Sequence, residues 1–389
     1  MRPEKHNSKV YRVRKPWRLR WCDLTNAKVS DVACGNGFTI MVVDGDSKFK
    51  GDRLYGTGMN TQSQIGVHKV GGNTLKFLIQ PALIHLPFNN PHEVKIHSVS
   101  CGRAHSIVLS NQGIYSFGNN SYGQCGRNII ENEEYFGNPG VIQRVKIENE
   151  IISVKCGQDH SCFLAKDGSV YTCGWSADGQ LGQDIYSVQP KPSLVKGDIN
   201  GVKIKKLSTK GDFVLALSDN GELFGWGNNE YKQLYMSGIS DPQIGVSRHL
   251  NLPAYVKRPI LDVACSGTHC MVLDSNRHVW VWGFGLLGRG PICEECIEPS
   301  EIPNQLLGIY TELKDTLNRN VNFIHCGLNC SAIVMNDGSL YMWGKNSYGV
   351  VASGNLEDVY FPLRVNIPAQ VLKIDIGADQ AFSVCKSFI

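Results

Sequence analysis

Cysteine and histidine are the residues here with the most chemistry to offer, and their spacing decides what they can do. Cys293 and Cys296 form a lone Cys-x-x-Cys in a loop bounded by Pro291 and Pro299. A structural zinc site takes four ligands, and no second pair stands nearby, so the two read as loop thiols. His105, His160 and His269 recur at one place in a repeated segment. Repeat units hold equivalent residues apart, so these are expected to be structural histidines, their ring nitrogens satisfying neighbouring loop backbone. Cys34, Cys101, Cys156, Cys265 and Cys326 share another repeated position. They are too dispersed to pair and read as small buried hydrophobes, which favours a reducing compartment. The sequence has no Gly-x-x-x-x-Gly-Lys-Ser/Thr phosphate loop, no His-Glu-x-x-His helix and no Gly-x-Ser-x-Gly elbow. No covalent catalysis, metal or cofactor is therefore expected.

The elements that would position such residues come from the repeat itself. Seven segments align: VACGNGFTIMV from Val32, VSCGRAHSIVL from Val99, VKCGQDHSCFL from Val154, LSTKGDFVLAL from Leu207, VACSGTHCMVL from Val263, IHCGLNCSAIV from Ile324 and IDIGADQAFSV from Ile374. A second element follows the first six, as in IYSFGNNSYGQCG from Ile114, VYTCGWSADGQLG from Val170 and VWVWGFGLLGRG from Val279. Turn pairs such as Asp167–Gly168, Asn220–Gly221 and Asp337–Gly338 lie between the two elements and mark tight hairpins. Strands apolar on nearly every residue fit burial on both faces. A sheet repeated radially in this way is a propeller blade, and the period is too long for WD40 units.

The 389 residues carry a formal charge of +4, unevenly placed. Residues 1–21 hold eight Lys/Arg against one Glu, so that arm is +7 and the remainder −3. The body is not a basic nucleic-acid binder by bulk charge. No apolar run is long enough for a membrane-spanning helix, and no secretory signal is visible. The chain divides into a basic N-terminal arm, residues 1–30, and a repeat array, residues 31–389.

The Cys-Gly-x-x-His-Ser strand paired with a Tyr/Trp-Gly-x-Asn-x-x-Gly-Gln-x-Gly strand, clearest in Cys101–Gly126 and Cys156–Gly182, resembles the regulator of chromosome condensation family. The runs CGRAHS, GNNSYGQCGR, CGQDHS, CGWSADGQ, GWGN and the closing KSFI are similar to its mitochondrial branch. The resemblance implies an all-β, seven-bladed β-propeller. It implies a mitochondrial location in the matrix, associated with the inner membrane, with at most peripheral membrane contact. It also implies one of two roles: guanine-nucleotide exchange on a mitochondrial dynamin-like GTPase, or scaffolding of mitochondrial ribosome assembly on large-subunit rRNA with its assembly factors. A DNA-binding role like that of the founding member is disfavoured by the negative body. The family closes its ring by pairing an N-terminal Trp-Gly strand with the last Cys-Gly strand, yet residues 1–31 contain none. One blade is thus expected to be incomplete at the N-terminus. Either the chain is a shortened form, which would also remove a presequence, or closure uses something else.

Two groups of residues are candidates for partner contact. The loop before the shared histidine position presents Asn36, Arg103, Asp159, Asp212, Thr268, Asn329 and Asp379 on one rim. By family match Asp159 and Asp212 are the best candidates to face a GTPase; the alternative is that they cap their own turns. In the arm, Arg12, Arg14, Trp17, Arg18 and Arg20 mix cations with aromatics, which suits single-stranded RNA. The alternatives are a solvated tail or a remnant inter-strand loop of the first blade.

Overall fold

A computed structural model of the protein describes residues 13–235, 241–310 and 319–387. Each Cys-Gly segment forms an inner strand and a second strand, joined by a short rim loop. In the third unit these are Ile151–Cys156 and His160–Ala165, followed by Val170–Gly174 and Gln189–Leu194. The four pair in sequence order, all antiparallel. The second strand is buried at every residue in the first four units, as in Phe213–Ser218. Its alternate side chains therefore pack against the blades on either side, which is why it reads as a continuous apolar run.

Six such four-stranded sheets form, followed by a two-stranded hairpin of Ala369–Ile376 and Ala381–Ser387. The expectation of seven blades is corrected: the described residues form six, with a hairpin beside them at the C-terminal end. The cause is compositional. Third and fourth strands come from the Trp-Gly element and the stretch after it, and no Trp-Gly element accompanies the last Cys-Gly copy. Residues 13–28 form no strand; they run irregularly into the short helix Arg20–Thr25. A small extra hairpin, Lys69–Val70 with Asn73–Thr74, decorates the first blade.

The array nevertheless closes. The hairpin lies against the first blade and is stitched to it by side chains. Asp375 accepts from the Cys34 amide at 2.5 Å and Asp379 from the Gly37 amide at 3.1 Å. Gln380 Nε2 donates to the Gly35 and Phe38 carbonyls at 2.9 and 2.7 Å. Lys210 of the fourth blade reaches across to Asp375 at 3.0 Å and to the Cys34 carbonyl at 3.3 Å. The arm spans the same seam. The Gly354 amide of the sixth blade donates to Arg14 O at 2.7 Å, and Trp21 packs on Tyr55 of the first blade at 4.7 Å.

Between blades, buried polar groups are satisfied in a repeating way. Ser161 Oγ donates to the Gln124 carbonyl at 2.7 Å, so it accepts from His105 Nε2 at 2.9 Å. Thr209 Oγ1 donates to Phe213 O and so accepts from His160 Nε2 at 3.2 Å. His269 pairs with Ser331 of the next blade at 2.7 Å. The histidines are structural, but Nε2 of each meets a hydroxyl of the adjacent blade, and His269 Nδ1 also meets Ser266 Oγ of its own loop at 2.7 Å. Burial pushes their pKa values down, to about 3 for His105 and about 4 for His160 and His269. The repeated cysteines are buried as well, and burial raises their thiols, to about 12 for Cys34 and about 11 for Cys156.

Candidate functional site: the rim loops

Alternate strands run in opposite directions. The loop after each inner strand and the loop after each third strand therefore leave the blade at the same end. Together they make one rim face. Its inner ring is held by a relay of backbone bonds between blades: Arg103 N to Gln158 O at 2.9 Å, and Gly267 N to Leu328 O at 2.9 Å.

Glycines at the end of the third strands lock these loops. Gly174 has φ of 117° and Gly227 of 105°, a region side chains rarely adopt. A Cβ at Gly174 would stand 2.5 Å from the Asp159 carbonyl, and one at Gly227 2.5 Å from that of Asp212. The two candidate aspartates are thus set by the third strand of their own blade, a close approach only glycine permits.

The structure brings three of the candidate rim residues together. Arg103 of the second blade bonds Asp159 of the third at 2.5 Å. Asp159 is only 9% exposed, and burial raises its carboxyl above the usual range against the pull of Arg103. Asp212, half-buried on the fourth blade, accepts from Gln180 Nε2 at 3.4 Å. Its carboxyl is pushed up to about 6, first by burial and then by the charges of Asp178 and Asp159. Asp212 therefore feels the charges of Asp178, Asp159 and Arg103 together, and the guanidinium bonds Asp159. Aromatic pairs flank the arc on the same face: Tyr122 tilted against Trp175 at 4.7 Å and Tyr231 stacked on Phe284 at 5.1 Å.

The other rim candidates lie elsewhere. Thr268 Oγ1 donates to Phe284 O at 2.7 Å within its own blade. Asp379 is engaged in the seam described above. Asn36 contacts Gln158 at 3.5 Å, and Asn329 is exposed. Asn36 and Arg103 stand one residue earlier in their loops than the aspartates do.

Asp178, Gln180 and Lys210 went unread in the sequence. Gln180 belongs to the Gly-Gln-x-Gly repeat, and Lys210 stands where five other copies carry the glycine of Cys-Gly. That departure was the available signal.

In the arm, Arg14, Trp17, Arg18 and Arg20 are exposed, Trp17 by 74%. Arg18 pairs with Asp23 at 2.5 Å. Arg12 lies outside the described residues. The arm rests against the sixth and first blades, so it forms a surface separate from the acidic arc. Cys293 and Cys296 are half-buried at the outer strand of the fifth blade, where Cys296 Sγ donates to Glu298 O at 3.0 Å.

A family model described as the RCC1-like domain matches residues 53–387. The chain is 41% identical over 380 residues to the RCC1-like G exchanging factor-like protein of Homo sapiens, covering 96% of this chain and 79% of that protein. It superposes on the crystal structure of human WBSCR16 with a TM-score of 0.86 at 41% identity, over 93% of this chain and 87% of that one. Prp20p from Saccharomyces cerevisiae shares the fold, with a TM-score of 0.73 at 19% identity over 98% of this chain and 87% of that one. The family model spans most of the repeat array and the human relative most of the chain, and the chain belongs to the RCC1-like family.

Proposed function

We propose that this protein is a guanine-nucleotide exchange factor that engages a mitochondrial, dynamin-like GTPase through its rim face. The observation that carries the reading is the arc of Arg103, Asp159, Asp178 and Asp212, held by glycine-locked loops between two aromatic pairs. The printed name of the human relative describes a G exchanging factor-like protein, and Prp20p has described binding properties to Gsp1p and histones. Exchange requires no covalent chemistry. The factor binds the nucleotide-free GTPase more tightly than the nucleotide-bound form, and that difference lowers the barrier to release. A rigid ring suits the task, because its rim loops need not reorganise on contact. The expected site is the mitochondrial matrix, in peripheral association with the inner membrane. No helix among the described residues is long and apolar enough to cross a membrane.

The test is release of labelled GDP from candidate mitochondrial GTPases. Acceleration by the wild type and its loss in Asp159→Ala are expected; failure to accelerate release from any candidate defeats the reading.

A second reading rests on the exposed arm. Arg14, Trp17 and Arg20 offer phosphate contacts and a stacking plane to single-stranded RNA, in a scaffold for mitochondrial ribosome assembly. Crosslinking in cells followed by sequencing should recover large-subunit rRNA, and its absence from the bound fraction removes this role.

A further inference from the structure

The turns between second and third strands leave the blades at the end opposite the rim arc. On that face a cavity of about 610 Å³ opens at the second blade. Three segments build it. The connection from the first blade supplies Asn89, Asn90 and Glu93, and the turn after His105–Ser110 supplies Asn111 to Gly113. The outer strand Gln143–Val145 supplies Arg144.

Side chains tie the first two segments together and so fix the floor. Gln112 Nε2 donates to Asn90 O at 2.6 Å, and Gln112 Oε1 accepts from the Asn90 amide at 3.0 Å. Asn111 Nδ2 donates to Glu93 O at 2.9 Å, and Asn111 Oδ1 accepts from the Lys95 amide at 2.9 Å. Gly113, with φ of 120°, seats the cation. A Cβ there would stand 2.7 Å from Arg144 Nε, 2.9 Å from Nη2 and 3.0 Å from Cζ, so the guanidinium lies over the backbone of the turn. Glu93 is held two residues away, at Asn111.

Four groups of this lining are left over. The Arg144 guanidinium, the Glu93 carboxylate and the side-chain amides of Asn89 and Asn90 have no hydrogen bond or ion pair among the described residues. The two opposite charges share the cavity without pairing with each other. A guanidinium takes a carboxylate in a two-pronged bond, and a carboxylate takes an amine cation. Primary amides both donate and accept, as a peptide group does. The volume falls within the range of small-ligand sites, about 300–1,000 Å³.

We propose that this cavity binds a zwitterion of the amino-acid class, its carboxylate on Arg144 and its side-chain cation on Glu93, with Asn89 and Asn90 bonding the atoms between. A free basic amino acid carries that chemistry, and so does a basic residue that ends a peptide chain. The site lies on the face opposite the rim arc and stands or falls without it.

Fluorescence anisotropy of the full chain at low ionic strength tests it. The probe is a tripeptide of two glycines ending in lysine, labelled at its amino end and free at its carboxyl end. One equivalent should bind saturably. Arg144→Gln should weaken binding about tenfold, as loss of a hydrogen bond to a charged group does. It should also erase the preference for this probe over its carboxyl-amidated form. Glu93→Gln should weaken binding about threefold and erase the preference for a terminal lysine over a terminal alanine. Lys345→Met, whose exposed ammonium pairs with Asp358 on the sixth blade, should leave binding unchanged. Displacement by free lysine as strongly as by unlabelled tripeptide assigns the free amino acid; stronger displacement by the tripeptide assigns the chain end. Absence of saturable binding by the wild type, equal binding of the amidated probe, or unchanged binding in Arg144→Gln overturns the proposal.

Discussion

Individual side chains here are tuned mainly by burial. Asp212 holds its proton up to about pH 6, because a half-buried carboxylate beside Asp178 and Asp159 resists ionisation. Its folded pKa is raised, so its contribution to stability is present at low pH and lost as pH rises through about 6. Partner binding runs the other way. A cationic partner group favours the carboxylate, so exchange should decline as pH falls from 7.5 to 5.5. Asp212→Asn should flatten that part of the GDP-release profile. The histidines give the opposite stability trend. His105, His160 and His269 stay neutral down to about 3 to 4 in the fold, whereas an unfolded histidine takes its proton near pH 6.5. Stability should therefore fall as pH drops below 6.5, by up to about 1.4 kcal/mol per pH unit for each histidine. Urea midpoints between pH 7 and pH 5 would measure this slope, and His269→Gln, which keeps a neutral donor toward Ser331, should reduce it by one proton.

At the scale of the element, the rim loop and the third strand form one unit. Gly174 sits where a Cβ would meet the Asp159 carbonyl at 2.5 Å, in backbone with φ of 117°. Gly174→Ala should cost about 1–3 kcal/mol and move the loop that carries Asp159. Exchange should then fall further than the loss of folded protein explains, read by GDP release normalised to circular dichroism. The final hairpin behaves differently from the other Cys-Gly pairs. Its second strand is half-buried to exposed over Ala381–Lys386, whereas the corresponding strand of the third blade is wholly buried. It has no third strand beside it among the described residues. Its amides should exchange hydrogen faster than those of the six full blades.

The whole molecule depends on how the array closes without a seventh full blade. Asp375 answers for much of that, because Cys34, Lys210 and His325 all converge on it from three other blades. Lys210 and Asp375 are each mostly buried, so removing one leaves the other unpaired. Asp375→Ala should cost about 3–5 kcal/mol and raise hydrogen exchange in Ala369–Ser387. Lys210→Met with Asp375→Leu should recover much of that loss, because the unpaired charge is gone. A double mutant no more stable than Asp375→Ala alone would show that the unpaired Lys210 charge is not the source of the loss.

By itself the sequence determined the repeat, and the repeat determined the blade. Doubly buried strands must be apolar throughout and the hairpins between them need Asp-Gly or Asn-Gly, so both are written in local residue types. Asp159 and Asp212 were legible because the rim loop recurs at a fixed place in that repeat. Tertiary structure decided what depends on neighbours from other blades. The pairing of Arg103 with Asp159, the hydroxyl partners of the histidines and the reach of Lys210 to Asp375 join residues about 50 to 165 positions apart. It also decided the blade count. Seven inner strands are countable in the sequence, but a blade exists only where four strands find one another. The last pair, lacking a Trp-Gly element of its own, closes the molecule through side chains instead of a sheet.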